Sequence, residues 1–118
     1  MARRVLITAG ASGIGRAMAD GFAANGAEVW VADMDSAALA DVPKEWRASQ
    51  VNVTDEAEMA ALFAEISKEW DGLDVLCANA GIAGPTALIE DIKLEDWRAC
   101  VSVNLEGAFL AAKYAAPL

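Results

Sequence analysis

Apolar residues in this chain fall into short blocks whose period changes along the sequence. Residues 4–8 (RVLIT) form a β-branched run closed by small residues, which predicts a buried strand. A helix is predicted over 13–25, with Ile14, Met18 and Phe22 recurring at i+4 and Gly26 placed to close its C-terminus. A second strand, AEVWVAD, ends at Asp33; a weak short helix follows near 36–40 and is broken by Pro43. The run WRASQVNV predicts a third strand ending near Val53, and Thr54 is the expected N-cap of a helix over 55–70. That helix carries Met59, Leu62, Phe63, Ile66 and Trp70 at the 3.6-residue period, and Asp71-Gly72 supplies the turn after it. A fourth strand, LDVLCA, leads into the loop NAGIAGPT, and a last helix is predicted from about Leu94 to Pro117.

Four alternations of strand and helix predict an α/β fold, a Rossmann-type doubly wound parallel sheet, because each parallel crossover needs a helix to return the chain. The strands are expected to be apolar on both faces. Right-handed crossovers give the spatial order 3-2-1-4 within one domain over residues 1–118, with a cofactor crevice between strands one and four. In that order DVLCA forms a bare apolar edge, an aggregation hazard unless another strand covers it. The expectation is therefore a fold incomplete without a C-terminal half, continued beyond Leu118 or completed by a second polypeptide.

Composition narrows the function classes. The chain is 118 residues long and 56% hydrophobic, and its 18 acidic against 9 basic residues give a formal charge of −9. The basic residues do not cluster, which argues against nucleic acid as a partner. No apolar run reaches the roughly 18 to 20 residues of a membrane span, and the N-terminus lacks the apolar region of a signal peptide; a cytoplasmic protein is expected. The absence of histidine and the presence of only two cysteines, Cys77 and Cys100, exclude zinc-type spacing and imidazole catalysis within this chain, and no metal site is expected. Both thiols are read as buried core residues.

The candidate chemistry begins at TAGASGIGRA, between the first strand and the first helix. Glycines there let the backbone approach a pyrophosphate, and the free N–H groups and positive helix end attract it. Tight strand–helix turns also favour glycine for conformational reasons alone. Asp33, 18 positions after Gly15 at the end of the second strand, can accept hydrogen bonds from an adenosine ribose; equally, it can be a turn or capping aspartate. Asn104 shares its predicted helix side with Trp97, Cys100, Val101, Ala108 and Ala111, so it is expected to point inward, where its amide needs a partner.

These elements together resemble the N-terminal part of the short-chain dehydrogenase/reductase family. The family's Thr-Gly-x-x-x-Gly-x-Gly turn is matched by Thr8-Ala9-Gly10-Ala11-Ser12-Gly13-Ile14-Gly15, and its Asn-Asn-Ala-Gly element by Ala78-Asn79-Ala80-Gly81. Its helix asparagine is matched by Asn104 within Val103-Asn104-Leu105-Glu106-Gly107. The resemblance covers essentially the whole chain. Two positions depart from it. Ala9 stands where the family has glycine, at a cost of about 1 kcal/mol if φ there is positive unless Gly10 takes up the turn; Ala78 removes an asparagine near the sheet.

The resemblance implies the following assignments. Gly10, Ser12, Gly13, Ile14 and Gly15 belong to the pyrophosphate turn, Asp33 and Met34 to the adenosine ribose, and Asn52 and Val53 to the adenine. At Asn52 the family more often has aspartate; an asparagine amide can both accept from the adenine amino group and donate. Asn79, Ala80 and Gly81 would line the ribose and nicotinamide side, and Asn104 would hold a water of the proton relay. Asn52 could equally be a turn residue, the 79–81 loop simple turn chemistry, and Asn104 an asparagine bonded to backbone.

The cofactor expected is NAD in preference to NADP, because Asp33 repels a 2′-phosphate and Ser12 stands where NADP-preferring relatives tend to be basic. Arg16 argues the other way unless it faces solvent. The implied activity is oxidoreduction between a small-molecule alcohol and a carbonyl by hydride transfer, in a homo-oligomer. The family's serine and Tyr-x-x-x-Lys pair do not occur here, and the adjacent Lys113-Tyr114 cannot replace them, so this chain alone is expected to be inactive. The alternative function is a non-catalytic nucleotide-binding or assembly module.

Overall fold

In a computed structural model describing residues 2–118, strand β1 (Arg4–Thr8) occupies the middle of a four-stranded sheet. It pairs in parallel with β2 (Glu28–Asp33) from Arg4 opposite Glu28 to Thr8 opposite Ala32. β3 (Arg47–Gln50) lies outside β2, and β4 (Val75–Cys77) pairs with Val5–Ile7 on the other side of β1. All pairs are parallel and the order is 3-2-1-4, as the right-handed crossover rule requires.

The two-residue strand period sorts the core into two layers. Val5, Ile7, Val29 and Val31 face α1 (Gly13–Ala24), where Ala19 is buried and Met18 and Phe22 pack from the rim. Leu6, Trp30 and Ala32 face the opposite way, onto Met59, Leu62, Phe63 and Ile66 of α3 (Glu56–Glu69). Trp70 closes that layer with its ring edge on Trp30, centroids 5.3 Å apart, and the Trp30 indole N–H donates to Ser49 Oγ at 2.9 Å. Burying a large side chain this completely stabilises the fold by roughly 1.5–3 kcal/mol.

Several expectations are corrected. β3 is short and largely exposed rather than apolar on both faces. As an edge strand it gains from a charge, and Arg47 covers the Trp30 ring and pairs with Glu69 at 3.2 Å. The N-cap of α3 is Asp55, whose carboxylate accepts from Glu58 N–H at 3.1 Å, not Thr54. Ile14 is 75% exposed, because α1 turns its small residues Gly15 and Ala19 to the sheet. α1 does end as expected: Gly26 has φ +86° and Ala27 N–H reaches back to the Phe22 carbonyl at 3.0 Å. The short α2 (Ser36–Ala40) is capped by Asp35, which accepts from Ala37 and Ala38 N–H.

After a 3₁₀ turn at Ile89–Asp91 the last helix starts at Leu94 as expected and runs without a break to Ala115, but not as α-helix throughout. α4 (Leu94–Val101) passes into a π segment (Ser102–Glu106) and then α5 (Gly107–Ala115). Close approach anchors α5: a Cβ on Gly107 would lie 2.8 Å from Val53 Cγ2. Lys113 and Tyr114 both donate to Glu56, at 2.7 and 2.8 Å, tying α5 to the start of α3 and holding the Glu56 carboxyl below its ordinary range. Cys77 and Cys100 are half-buried rather than core residues.

Candidate dinucleotide site

The carboxyl ends of β1, β2 and β4 converge where open parallel sheets bind ligands. Thr8, the one buried polar residue among the described residues, organises this end. Its Oγ1 accepts from Asn79 N–H at 2.9 Å and Ala80 N–H at 3.0 Å and lies 3.4 Å from the Cys77 carbonyl oxygen. The Asn79 amide donates to the Thr8 and Ala9 carbonyls at 3.2 and 3.4 Å. The β4 loop is thereby fastened to the glycine turn, and the Asn79 side chain serves that fastening. Burial raises the Cys77 thiol above its ordinary range, so it makes a poor nucleophile at neutral pH.

The glycine turn distributes its roles unequally. Ala9 itself takes φ +52°, so Gly10 does not relieve it. Gly10 is needed for contact instead: a Cβ there would lie 2.7 Å from Val31 Cγ1 and 2.9 Å from the Ile7 carbonyl oxygen. Gly15 is buried, and a Cβ on it would collide with the Ala9 carbonyl oxygen and lie 2.6 Å from Asn79 Nδ2. Gly13 has φ +59° with open space where a side chain would be, and Ser12, Gly13 and Ile14 are exposed. Ser12 is the N-cap of α1, yet its side chain caps nothing. The first N–H groups of a twelve-residue helix therefore face outward without a side-chain partner.

Asp33 reaches across to this turn. Its Oδ2 accepts from Ala11 N–H at 3.1 Å and its Oδ1 from Asp35 N–H at 3.0 Å, so it also does the work of a turn aspartate. Beside it a cleft of about 150 Å³ brings together Asp33, Met34, Asn52, Val53, Ala80 and Gly81. Gly10, Ser12, Gly13, Ile14, Gly15, Asn79 and Asn104 lie outside its lining. A larger hollow of about 660 Å³, at Ala2, Arg3 and Gly26, is at the wrong end of the strands for such a site. Arg16 is turned away, with Nε 3.2 Å from Asp20 and its guanidinium over the Trp46 ring.

Asn52 makes the contacts of a turn residue: its Oδ1 accepts from Thr54 N–H, at 3.0 Å, and from Thr54 Oγ1–H, at 2.7 Å. Asn104 does not point into the core. It is exposed, within the π segment, and its amide closes a two-way pair with the Ile82 backbone: Oδ1 accepts from Ile82 N–H at 2.8 Å and Nδ2 donates to the Ile82 carbonyl at 2.9 Å. Two contacts escape the sequence reading. Thr8 opens the glycine motif, with nothing in the sequence to show that it holds the 79–80 loop, and Glu58, which accepts from Asn52 N–H at 3.2 Å, carried no signal.

A family profile described as short chain dehydrogenase matches residues 3–118. The chain belongs to the short chain dehydrogenase family. It is 38% identical over 120 residues to a cis-4-hydroxycyclohexanecarboxylate dehydrogenase of Sinomonas cyclohexanicum, covering 96% of this chain and 48% of that protein. It is 37% identical over 120 residues to a 3-oxoacyl-[acyl-carrier-protein] reductase of Synechocystis, covering 95% and 48%. Among solved structures it superposes on a 3-ketoacyl-(acyl-carrier-protein) reductase of Brucella melitensis complexed with NADH, with a TM-score of 0.88, 32% identity and coverage of 98% and 49%. The chain thus spans about half the length of these short chain dehydrogenase relatives. No described helix is long and apolar enough to cross a membrane, and the described residues contain no cluster of three His, Cys, Asp or Glu side chains able to hold a metal.

Proposed function

We propose that this chain supplies the dinucleotide-binding part of an oxidoreductase that interconverts a small-molecule alcohol and a carbonyl compound, with NAD preferred over NADP. The observation that carries the reading is the pairing of an uncapped α1 N-terminus with Asp33, joined through the Ala11 N–H, Asp33 itself lining the cleft. An N-terminus without a carboxylate of its own attracts a pyrophosphate, and an aspartate at the end of the second strand accepts from ribose hydroxyls. The NADH complex of the Brucella reductase supports the same assignment.

The residues fit the cofactor. Ser12, Gly13, Ile14 and Gly15 present the backbone donors, Asp33 and Met34 flank the ribose, and Asn52 and Val53 border the base. Asn79 fixes the loop through Thr8, and Ala80 and Gly81 carry that loop toward the nicotinamide side. Asn104 acts as a positioning residue: clamping Ile82 holds the 80–82 loop, and one lone pair and one hydrogen of its amide remain for a water. When bound, a nicotinamide dinucleotide supplies the hydride acceptor or donor. Preference for NAD follows from the Asp33 carboxylate and from Arg16 being engaged with Asp20 and Trp46. The exposed Trp97, Leu105 and Phe109 support burial of the α4–α5 face in an oligomer.

Calorimetric titration of the chain with NAD and NADP tests the reading. NAD is expected to bind more tightly, and Asp33→Ala to weaken NAD by roughly tenfold or more, the value of a charge-assisted hydrogen bond. Unchanged NAD affinity in that variant would remove the ribose assignment.

A further inference from the structure

β3 ends the sheet on one side, and its outer edge carries a definite set of free backbone groups. Val51 N–H donates to the Asp33 carbonyl at 2.9 Å, and Asp33 stands opposite Gln50 in the parallel register. In a parallel ladder alternate residues serve one neighbour, so Ser49 and Val51 face β2 while Ala48 and Gln50 direct their N–H and C=O groups outward. A row of such groups is a template for a further strand. The charge at this edge, Arg47, is folded onto the Trp30 ring and the Glu69 carboxylate, which leaves Ala48, Ser49 and Gln50 without one.

On α3, Glu58, Ala61, Leu62, Glu65 and Glu69 follow one another at three- and four-residue steps and form a single stripe. The first four of these residues and residues 48–51 line one hollow of about 380 Å³. A second hollow, of about 420 Å³, lies at the next positions of both elements, Arg47 on β3 and Glu69 on α3. Glu65 makes no ion pair among the described residues, and Glu58 engages one carboxylate oxygen, on Asn52 N–H. One wall of this trough therefore offers strand-type hydrogen bonds, and the other offers carboxylates.

Those two walls select the occupant by chemistry. A second copy of the chain would bring the same carboxylates, and a charge of −9, against them. Nucleic acid is disfavoured by the same charge. An extended peptide meets both walls: its backbone completes the edge, and alternate side chains, roughly 6.6 Å apart on one face, match the rise of about 6 Å between Glu65 and Glu69.

We propose that the β3 edge is a docking site for an extended basic segment of a partner protein, added as a further strand with lysine or arginine side chains facing Glu58 and Glu65. Main-chain hydrogen bonds supply affinity and the glutamates select the charge. The proposal is independent of the dinucleotide reading.

The test is fluorescence anisotropy of a short labelled peptide that alternates lysine with valine and threonine, titrated with the full chain. Two N-methylated forms accompany it, one methylated at the lysines and the other at the intervening residues. An added strand turns one of these two sets of N–H groups to β3 and the other to solvent. The unmethylated peptide is expected to bind saturably, one methylated form to bind roughly tenfold more weakly or worse, and the other to stay within about threefold. Glu65→Gln should weaken binding by roughly twofold to fivefold, the value of an exposed ion pair. Ala48→Pro removes an outward N–H without touching the ladder to β2 and should weaken it by about tenfold; the methylated peptides probe the same contact on the unaltered chain. Absence of binding, or equal binding of the two methylated forms, overturns the proposal. Self-association of the chain that Ala48→Pro abolishes, without peptide binding, would make a second copy the occupant and overturns it as well.

Discussion

The N-termini of α1 and α3 face the same end of the sheet and are built on opposite rules. α3 begins with Asp55, whose carboxylate accepts from Glu58 N–H; Glu56 and Glu58 stand in its first turn and Lys68 in its last. Its dipole is compensated by its own side chains, as a helix that serves only stability requires. α1 begins with a serine that caps nothing, has no acidic residue in its first turn, and follows an alanine held at φ +52°. Leaving a helix start uncapped costs roughly 0.5–2 kcal/mol, and strain at a non-glycine positive φ adds about 1 kcal/mol. A fold that caps α2 and α3 with aspartates has the means to cap α1. α4 also lacks a side-chain cap but carries Glu95 and Asp96 in its first turn, so the start of α1, with neither, is the one that suits the anion of the proposed reading.

Substitutions can break this contrast or sharpen it. The largest effect is expected at Gly15, where alanine would drive a methyl group into the Ala9 carbonyl and Asn79. Chemical denaturation of Gly15→Ala should show a loss of roughly 1–3 kcal/mol from overpacking. Gly21→Ala, in the same helix with nothing within 4 Å, should gain about 0.5–1 kcal/mol from helix propensity. Equal effects at the two sites would mean that Gly15 is only a helix residue.

Next in size is the conversion of α1 into a copy of α3. Ser12→Asp should cap the helix, raising the melting temperature, while NAD affinity measured by calorimetry falls by roughly tenfold through repulsion of the pyrophosphate. A rise in stability without loss of affinity would separate the helix end from the ligand.

The smallest expected effect comes from removing the cap that does exist. Asp55→Ala should cost about 1 kcal/mol in urea denaturation, and NAD affinity should stay within about twofold, because Asp55 does not line the cleft. A large loss of affinity would extend the site to α3.

Much of this contrast was legible in the residues, and the illegible part has physical causes. The order 3-2-1-4 follows from strand–helix alternation and crossover handedness, and the apolar set of α3 from its period, because both are properties of the chain pattern itself. Ile14 misleads because an apolar period registers large side chains, whereas α1 approaches the sheet through Gly15 and Ala19. Thr54 and Asp55 are adjacent residues that can both cap, and the choice depends on Thr54 being held by Asn52. The π segment has no local signal: it coincides with Gly107 fitting against Val53 and with Asn104 meeting Ile82, both contacts between parts distant in sequence. The candidate site residues were recognisable as types and spacings, but the uncapped state of Ser12 and the contacts of Asn52 with Thr54 depend on hydrogen bonds that only the folded chain defines.

Amide chemical-shift mapping of the ¹⁵N-labelled chain during titration with NAD tests the central claim most directly, because it reads both helix starts in one experiment. The expected result is a set of saturable shifts at Gly13, Ile14 and Gly15, with Ala11 following as Asp33 engages the ribose, while Glu56 and Glu58 stay in place. Shifts at the α3 start with none at Gly13–Gly15, or no saturable shift at either, would contradict the account.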